Sequence, residues 1–313
     1  MDTGVIWQAI TQPLGYVLEP ERRLFWLFMI SALILASIAV TVQNRRFHLG
    51  SQLRALTNPR YWLCPSSLVD ISLLFLNSGI RVLLIVPLLG SHLAATILVG
   101  STLQTTLGDA PDIPLSLFTV GLLFTLVFFV AEDVSRFGLH WLMHKVPLLW
   151  QFHKLHHSAT TLTPITVHRV HPLEMTLYYL RGLFVFGLIS GVFVYLFRGK
   201  VHGWEILGVD CIGFLFNLFG ANLRHTPVWL SFGRLEALFI SPVQHQLHHS
   251  SHPAHADKNF GTCLALWDRF AGSHLKSGEY RKLYFGLCQE ENQTREGADI
   301  LPLRASPRAG NTG

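Results

Sequence analysis

The sequence predicts an all-α fold, a multi-pass membrane domain with a histidine-lined cap. Three observations predict it. Half of the 313 residues are apolar and 14% are charged, where soluble domains carry about a quarter. Mean hydropathy is correspondingly high, at +0.37. Long uncharged runs recur at lengths that suit membrane helices. Finally, the chain holds 17 histidines against 19 acidic residues, and, leaving His202 aside, thirteen of them lie between His140 and His255. A lone histidine is ordinarily a satisfied surface or core residue. Clustering at fixed spacings needs another explanation.

The runs come in order. Leu24 to Val42 has no charge and is long enough to span; it is too long for a signal peptide, and no small-residue cleavage site follows. Ile71 to Leu89 is a second candidate, with Asn77, Arg81 and Pro87 inside it; a kink is expected, with Arg81 facing protein or snorkelling. Leu115 to Val130 is a third, slightly short. Leu177 to Phe197 is a fourth, interrupted by Arg181, and Ile206 to Leu218 is a fifth, short and carrying Asp210. The last two suggest a membrane hairpin near 177–221. Gly187 and Gly191 form a G-x-x-x-G, which lets two helix backbones approach closely; it is read here as intramolecular packing.

Basic residues set the orientation. Arg45, Arg46, Arg54 and Arg60 follow the first run, with no acid before Asp70, whereas Asp109 and Asp112 precede the third with no basic residue beside them. The first loop is therefore expected on the cytoplasmic side and the acidic loop on the far side. That topology, built without reference to the histidines, brings both histidine blocks to one cytoplasmic face. The chain divides into N-terminal membrane helices (1–130), a histidine-rich region (131–291) and a polar tail (292–313) expected to be disordered. Cys64, Cys211, Cys263 and Cys288 form no C-x-x-C pair, so neither a zinc ribbon nor a thioredoxin site is indicated. The net charge of +5 comes without interleaved aromatics, so no nucleic-acid partner is expected.

Three histidine boxes carry the chemistry. His140-Trp141-Leu142-Met143-His144 is an H-x-x-x-H, and residues four apart share a helical face. His153-Lys154-Leu155-His156-His157 is an H-x-x-H-H, and His245-Gln246-Leu247-His248-His249 repeats it. Positions i, i+3 and i+4 put three imidazoles on one face. With His225 the set reaches nine. One tetrahedral ion takes four ligands and catalytic zinc usually three protein ligands, so nine suit two ions. Imidazole suits iron, copper, zinc and nickel alike. The lack of an H-E-x-x-H argues against a zincin protease.

From about Asp133 to Gly272 the chain resembles the fatty acid hydroxylase and sterol desaturase superfamily. The resemblance rests on the three boxes, on His168-Arg169-Val170-His171-Pro172-Leu173-Glu174, and on Asp257-Lys258-Asn259-Phe260-Gly261 leading to Trp267-Asp268-Arg269-Phe270. It implies a helical membrane domain with a cytosolic di-metal cap, two non-haem iron ions, O2 as co-substrate and externally supplied electrons. It also implies a lipid substrate and an activity among hydroxylation, desaturation, sterol methyl oxidation and ether-lipid cleavage. The first box has three intervening residues where acyl-CoA desaturases generally have four, which argues against simple acyl-CoA desaturation. Redox chemistry on an unactivated C–H bond also excludes zinc as the working metal.

Six further residues are candidate ligands or supports. His171 is read as a further ligand or, preferably, as a group whose orientation Glu174 fixes, and His168 as a weaker candidate. Asp133 lies on nearly the same helix face as His140 and His144, either accepting a hydrogen bond from one of them or as an interfacial helix charge. Asp257 is a candidate partner for His248 or His249, or a turn residue; Asn222 is a weak ligand or a cap. His252 and His255 flank Pro253, out of helical register, and His48, His92, His202 and His274 are isolated. No electron-transfer motif is present, so a separate donor (ferredoxin, cytochrome b5-like protein or reductase) is expected. Arg45, Arg46, Lys145 and Lys154 either attract it or anchor to anionic lipid. The competing readings are a desaturase of the same family, a zinc-dependent membrane hydrolase and a metal transporter. Transport ligands belong near the midplane of spanning helices, and none of the five apolar runs contains a histidine.

Overall fold

The computed structural model describes residues 3–47, 49–207 and 209–287. Cys288, His48 and the tail at 292–313 lie outside them. The described residues form helices α1 (Thr3–Thr11), α2 (Trp26–Asn44), α3 (Leu49–Leu56), α4 (Pro59–Trp62), α5 (Pro65–Ile80), α6 (Val86–Leu89) and α7 (His92–Leu107). There follow α8 (Leu117–Lys145), α9 (Pro147–His157), α10 (Pro172–Leu196), α11 (Cys211–Leu218), α12 (Pro242–His248) and α13 (Leu266–Phe270). The only strands among them, β1 (Glu205–Ile206) and β2 (Val209–Asp210), make one antiparallel pair with Glu205 opposite Asp210.

Local sequence sets the boundaries. Proline occupies the first turn of α4, α5, α9, α10 and α12, where its missing N–H is no loss. Ser91 and Ser116 cap α7 and α8 by accepting from Ala94 N and Thr119 N. Gly90 (φ 82°) ends α6 and Gly108 (φ 80°) ends α7, in a conformation glycine adopts without penalty.

Four segments are long and apolar enough to cross a membrane: Trp26–Asn44, Pro65–Leu107, Leu117–Lys145 and Pro172–Leu196. The second differs from expectation. Instead of one helix over 71–89, α5 passes through a π turn at Arg81–Ile85, stops at Gly90 and restarts as α7. It is α7 that packs along α10. Tyr179 Oη donates to Gly90 O (2.7 Å) at one end and Tyr195 Oη to Gly108 O (3.4 Å) at the other, so the two helices run in the same direction. Between these points Gly187 faces Ala95 and Gly191 faces Val99 and the Thr96 carbonyl. The G-x-x-x-G is therefore an intramolecular seam. Helix α8 runs the opposite way: Phe124 meets Phe193, Phe128 meets Phe186, and Arg181 reaches Glu132 at 3.0 Å.

The fifth run is not a spanning helix. Glu205–Ile206 and Val209–Asp210 form the short strand pair, Asp210 caps α11 by accepting from Gly213 N (2.7 Å), and α11 is eight residues long. About 12 Å of helix cannot cross a hydrocarbon core of about 30 Å. The apolar residues of α11 pack instead on α2, where Phe214 meets Phe28 edge-on at 4.9 Å.

The acidic loop lies at the end of the bundle remote from the histidines, where Arg198 donates to Ala110 O (2.9 Å) and approaches Asp112. The basic stretch at 45–46 follows the end of α2 held by Gln43, which donates to Trp229 O beside the histidine region. The two charged loops thus sit at opposite ends.

A Cβ at position 191 would lie 2.5 Å from Val99 Cβ and 3.0 Å from Thr96 O. Gly191→Ala is expected to destabilise the protein by about 1–3 kcal/mol. Thermal unfolding in detergent, followed by circular dichroism, measures this; an unchanged midpoint would refute the close seam.

Candidate metal centre

The eight box histidines and His225 converge from four stretches of chain. Helix α8 supplies His140 and His144, α9 supplies His153, His156 and His157, the 3-10 turn Ala221–His225 supplies His225, and α12 with its C-cap supplies His245, His248 and His249. They form two groups. His140, His144, His153, His157 and His248 make one; His156, His225, His245 and His249 make the other, with candidate ligand atoms within 4.8 Å of one another in each group. Rings of His157 and His249, one from each group, stack at 4.5 Å with planes 22° apart.

Within the groups the Nε2 atoms point inward. His225 Nε2 lies 3.3 Å from His156 Nε2, 3.2 Å from His249 Nε2 and 3.1 Å from His245 Nε2. His157 Nε2 lies 3.2 Å from His153 Nε2. Neutral imidazoles have one N–H each, so a ring of Nε2 atoms at these distances cannot be fully satisfied by mutual hydrogen bonding. His144 Nε2 and His248 Nε2 are buried with no hydrogen-bond partner in the protein.

The Nδ1 atoms of five of the rings face fixed partners, whereas His245 Nδ1 is buried without one among the described residues. His140 Nδ1 faces Phe260 O (2.8 Å), His248 Nδ1 faces Lys258 O (2.8 Å), His156 Nδ1 faces Arg169 O (3.3 Å), and His153 Nδ1 faces Glu174 Oε1 (2.8 Å). His144 Nδ1 lies 3.6 Å from Asp257 Oδ1. Protonation at Nδ1 leaves the Nε2 lone pair free to bind a metal, and the outward bond fixes each ring's orientation. The residues present therefore fit a pair of imidazole-ligated ions.

Burial keeps these rings neutral. It pushes His153 and His156 down to about 3, with the His153 charge adding to the effect on His156. His157, His225, His245, His248 and His249 are driven well below their ordinary value, first by burial and then by neighbouring histidines.

The stretches quoted for the family resemblance build this shell. Asp257 and Asn259 both adopt positive φ (58°), turning the chain so that the carbonyls of Lys258 and Phe260 face His248 and His140 of the first group. Asp268 holds the turn by accepting from Phe260 N (2.8 Å), Gly261 N (2.7 Å) and Ser273 Oγ (2.6 Å). Gly261 must lack a side chain, because a Cβ there would lie 2.8 Å from both Asp268 Oδ2 and Leu264 O. Asn259 ties the turn to α12 by donating to Gln244 O (3.1 Å).

The supporting candidates resolve differently from expectation. Glu174 orients His153 rather than His171. Asp257 serves His144 and pairs with Lys145 Nζ (2.6 Å), not His248 or His249. Asp133 touches no histidine: its carboxylate accepts from Cys263 N, Leu264 N and Trp267 Nε1 at 2.8–3.0 Å, clamping the C-terminal turn onto α8. His171 is a helix cap, accepting from Leu173 N at 3.2 Å, and its ring lies against Phe152. His168 packs near Tyr16, outside both groups. Asn222 tethers the N-terminal segment through Arg23 O (2.8 Å) and is likewise outside them.

Arg169 carries a role the sequence reading missed. Its guanidinium donates to Leu155 O (3.0 Å), Ser158 Oγ (2.8 Å) and Asp70 Oδ1 (3.1 Å), while its carbonyl takes His156. One residue thus holds the end of α9 against α5. Its place in the H-R-V-H stretch was the available signal.

Comparison with known proteins agrees. Residues 125–273, which include all eight box histidines and His225, match the fatty acid hydroxylase family model. This match supports the fatty acid hydroxylase and sterol desaturase superfamily for the stretch at 125–273. It is 26% identical over 164 residues to alkylglycerol monooxygenase from Xenopus tropicalis, covering 52% of this chain and 33% of that protein. It is 31% identical over 146 residues to ornithine lipid hydroxylase OlsE from Rhizobium tropici, covering 45% and 39%. It is 25% identical over 182 residues to Delta(7)-sterol 5(6)-desaturase from Leptosphaeria maculans, covering 56% and 44%. The match thus spans less than half the length of each of these relatives. No solved structure matches the chain.

Two outcomes follow from this geometry. Unfolded histidines protonate near pH 6.5, whereas His153 and His156 resist protonation down to about 3. Between those values the unfolded state binds more protons, so the metal-free protein loses stability as pH falls and regains it as pH rises. Thermal midpoints of metal-free protein at pH 7.5 and 5 test this, and a midpoint higher at pH 5 would contradict it. Separately, Glu174→Ala is expected to lower affinity for a divalent transition ion about 10–100-fold, measured by competition with a chromophoric chelator. Unchanged affinity would show that Glu174 does not act through His153.

Proposed function

We propose that this chain is a membrane-bound di-iron oxygenase that hydroxylates a C–H bond of a lipid. The observation that carries the reading is the pair of buried histidine groups, with Nε2 atoms inward and five of the Nδ1 atoms on fixed partners, at one end of a bundle of membrane-length apolar helices. His140, His144, His153, His157 and His248 would hold one ion, and His156, His225, His245 and His249 the other. Iron bound there supplies the redox chemistry for O2 that zinc lacks. The balance is one C–H bond, one O2, two electrons and two protons giving one C–OH and one water.

The chain's own groups perform the rest. Neutral imidazoles would leave the cationic charge of bound ions uncompensated. The fixed Nδ1 partners of five of the rings would hold the ligand positions. Burial of the rings excludes bulk water, protecting a reactive oxidant from side reactions. Lipid substrate would arrive from the bilayer along α8 and α10. Electrons come from a separate donor, a ferredoxin, cytochrome b5-like protein or reductase, docking on a cytoplasmic face. The names of the relatives support lipid oxidation, hydroxylation foremost, and leave desaturation as the second outcome of the same centre.

Protein purified with iron is expected to hold two irons per chain and to form product only with O2 and a reducing partner. Product from 18O2 should gain one labelled oxygen. His156→Ala and His248→Ala should each abolish turnover while helicity persists, since membrane helices draw stability from lipid burial and satisfied backbone bonds. Product formed without O2, or labelled from H2 18O alone, would replace this reading with a hydrolase; loss of two hydrogens without label would indicate the desaturase.

A further inference from the structure

A cavity of about 570 Å³ lies between α8, α10, α11 and the segment at 21–23, on the histidine side of the bundle but outside the histidine groups. Its walls are of two kinds. Phe128, Phe129, Phe186, Phe216, Ile85 and Met175 supply an apolar surface that suits an acyl or alkyl chain. Arg23, Arg81, Arg136 and Arg181 face the same space.

The carboxylates on the wall do not neutralise these arginines. Glu132 is shared by Arg136 and Arg181. Asp133 is engaged by Cys263 N, Leu264 N and Trp267 Nε1, and Asp210 caps α11. Glu21 remains, exposed. Arg23 and Arg81 have no carboxylate partner among the described residues. The Arg23 guanidinium rests instead over the Phe216 ring at 5.6 Å, and Arg224 approaches the same ring at 5.0 Å. Burial, then the charges of Arg224 and Arg136, push Arg23 down to about 9. Arg81 lies within the membrane-length segment Pro65–Leu107, where a guanidinium without an anion is costly and marks a ligand path.

The cavity adjoins the metal centre. Asp133 on its wall precedes His140 by about two turns of α8, or about 10 Å. Met175 follows Glu174, the partner of His153, and Thr262 and Cys263 follow Phe260, the partner of His140.

We infer that this cavity is the substrate chamber and that Arg23 and Arg81 bind an anionic headgroup, phosphate or carboxylate, so that the lipid taken is acidic rather than a sterol or a neutral glycerolipid. The forked guanidinium suits such oxygens bidentately. The inference rests on the lipid-oxygenase reading for its claim that the bound lipid is substrate. The binding itself is independent of iron and O2, so the two fail separately.

The test uses the full chain in neutral detergent and native mass spectrometry to measure lipid affinity. The probes are 1-oleoyl lysophosphatidate, monoolein, oleate and inorganic phosphate. Lysophosphatidate is expected to bind about tenfold or more tighter than monoolein, which differs from it by the phosphate. Arg23→Gln and Arg81→Gln should each remove about tenfold of lysophosphatidate affinity and leave monoolein unchanged. Arg234→Gln, exposed and outside the cavity, should have no effect, and Arg81→Gln is on an exposed position, so its folding is secure if Arg23→Gln fails to fold. Oleate binding lost in the same variants would assign a carboxylate, and lysophosphatidate binding alone would assign a phosphate. Equal affinity for lysophosphatidate and monoolein, unchanged preference in both variants, or inorganic phosphate binding as tightly as the lipid would each overturn the proposal.

Discussion

Much of the structure around the centre serves one constraint: His140, His153, His156 and His248 each keep Nδ1 on a fixed acceptor so that the Nε2 lone pair faces inward. The acceptors are diverse. Glu174 comes from a membrane helix, Lys258 and Phe260 offer backbone carbonyls from a turn with two positive-φ residues, and Arg169 offers its carbonyl from the link before α10. Each is then fixed in turn. Asp268 holds the Phe260 turn, and the Arg169 guanidinium holds the end of the helix whose His156 its carbonyl receives. Burial makes the arrangement stringent, since a misoriented ring would leave an unpaired polar nitrogen in a dry interior.

The membrane bundle supplies rigidity below that cap. Helix α8 carries the first box at its inner end and the Asp133 clamp two turns earlier, so the same helix both presents ligands and fastens the C-terminal turn. The seam between α7 and α10 is close because two glycines remove side chains where Ala95 and Val99 approach. That seam sets where α10 lies, and α10 places Glu174 against His153.

Much of this was legible in the sequence, for identifiable reasons. Side-chain type and helical spacing announce ligands, so the boxes and His225 could be read directly. Charge asymmetry between loops announces which ends of helices lie together. Acceptors are harder to see, because every residue carries a carbonyl and only the fold decides which one faces a histidine. Asp133 and Asp257 were visible as candidates but not as to partner, since a carboxylate's reach is set by backbone turns such as the left-handed pair at Asp257 and Asn259. Hydropathy overcounted Ile206 to Leu218, where the Asp210 cap restarts the chain as a short helix, and passed over α7, whose threonines dilute an apolar face bounded by two glycines.

Chain order adds a consequence for biogenesis. His140 is synthesised 120 residues before Phe260, whose carbonyl orients it, and Asp133 precedes the amides it receives by 130 residues or more. The first box therefore emerges from the ribosome long before its outer partners, whereas those of the second box follow within 21 residues. Ion capture in the final geometry must wait until the Trp267-Asp268 segment has folded back onto α8. Any ion held by both groups in the final geometry would thus follow synthesis of that segment, and a nascent chain stalled before it would expose imidazoles to whatever divalent ion is most available.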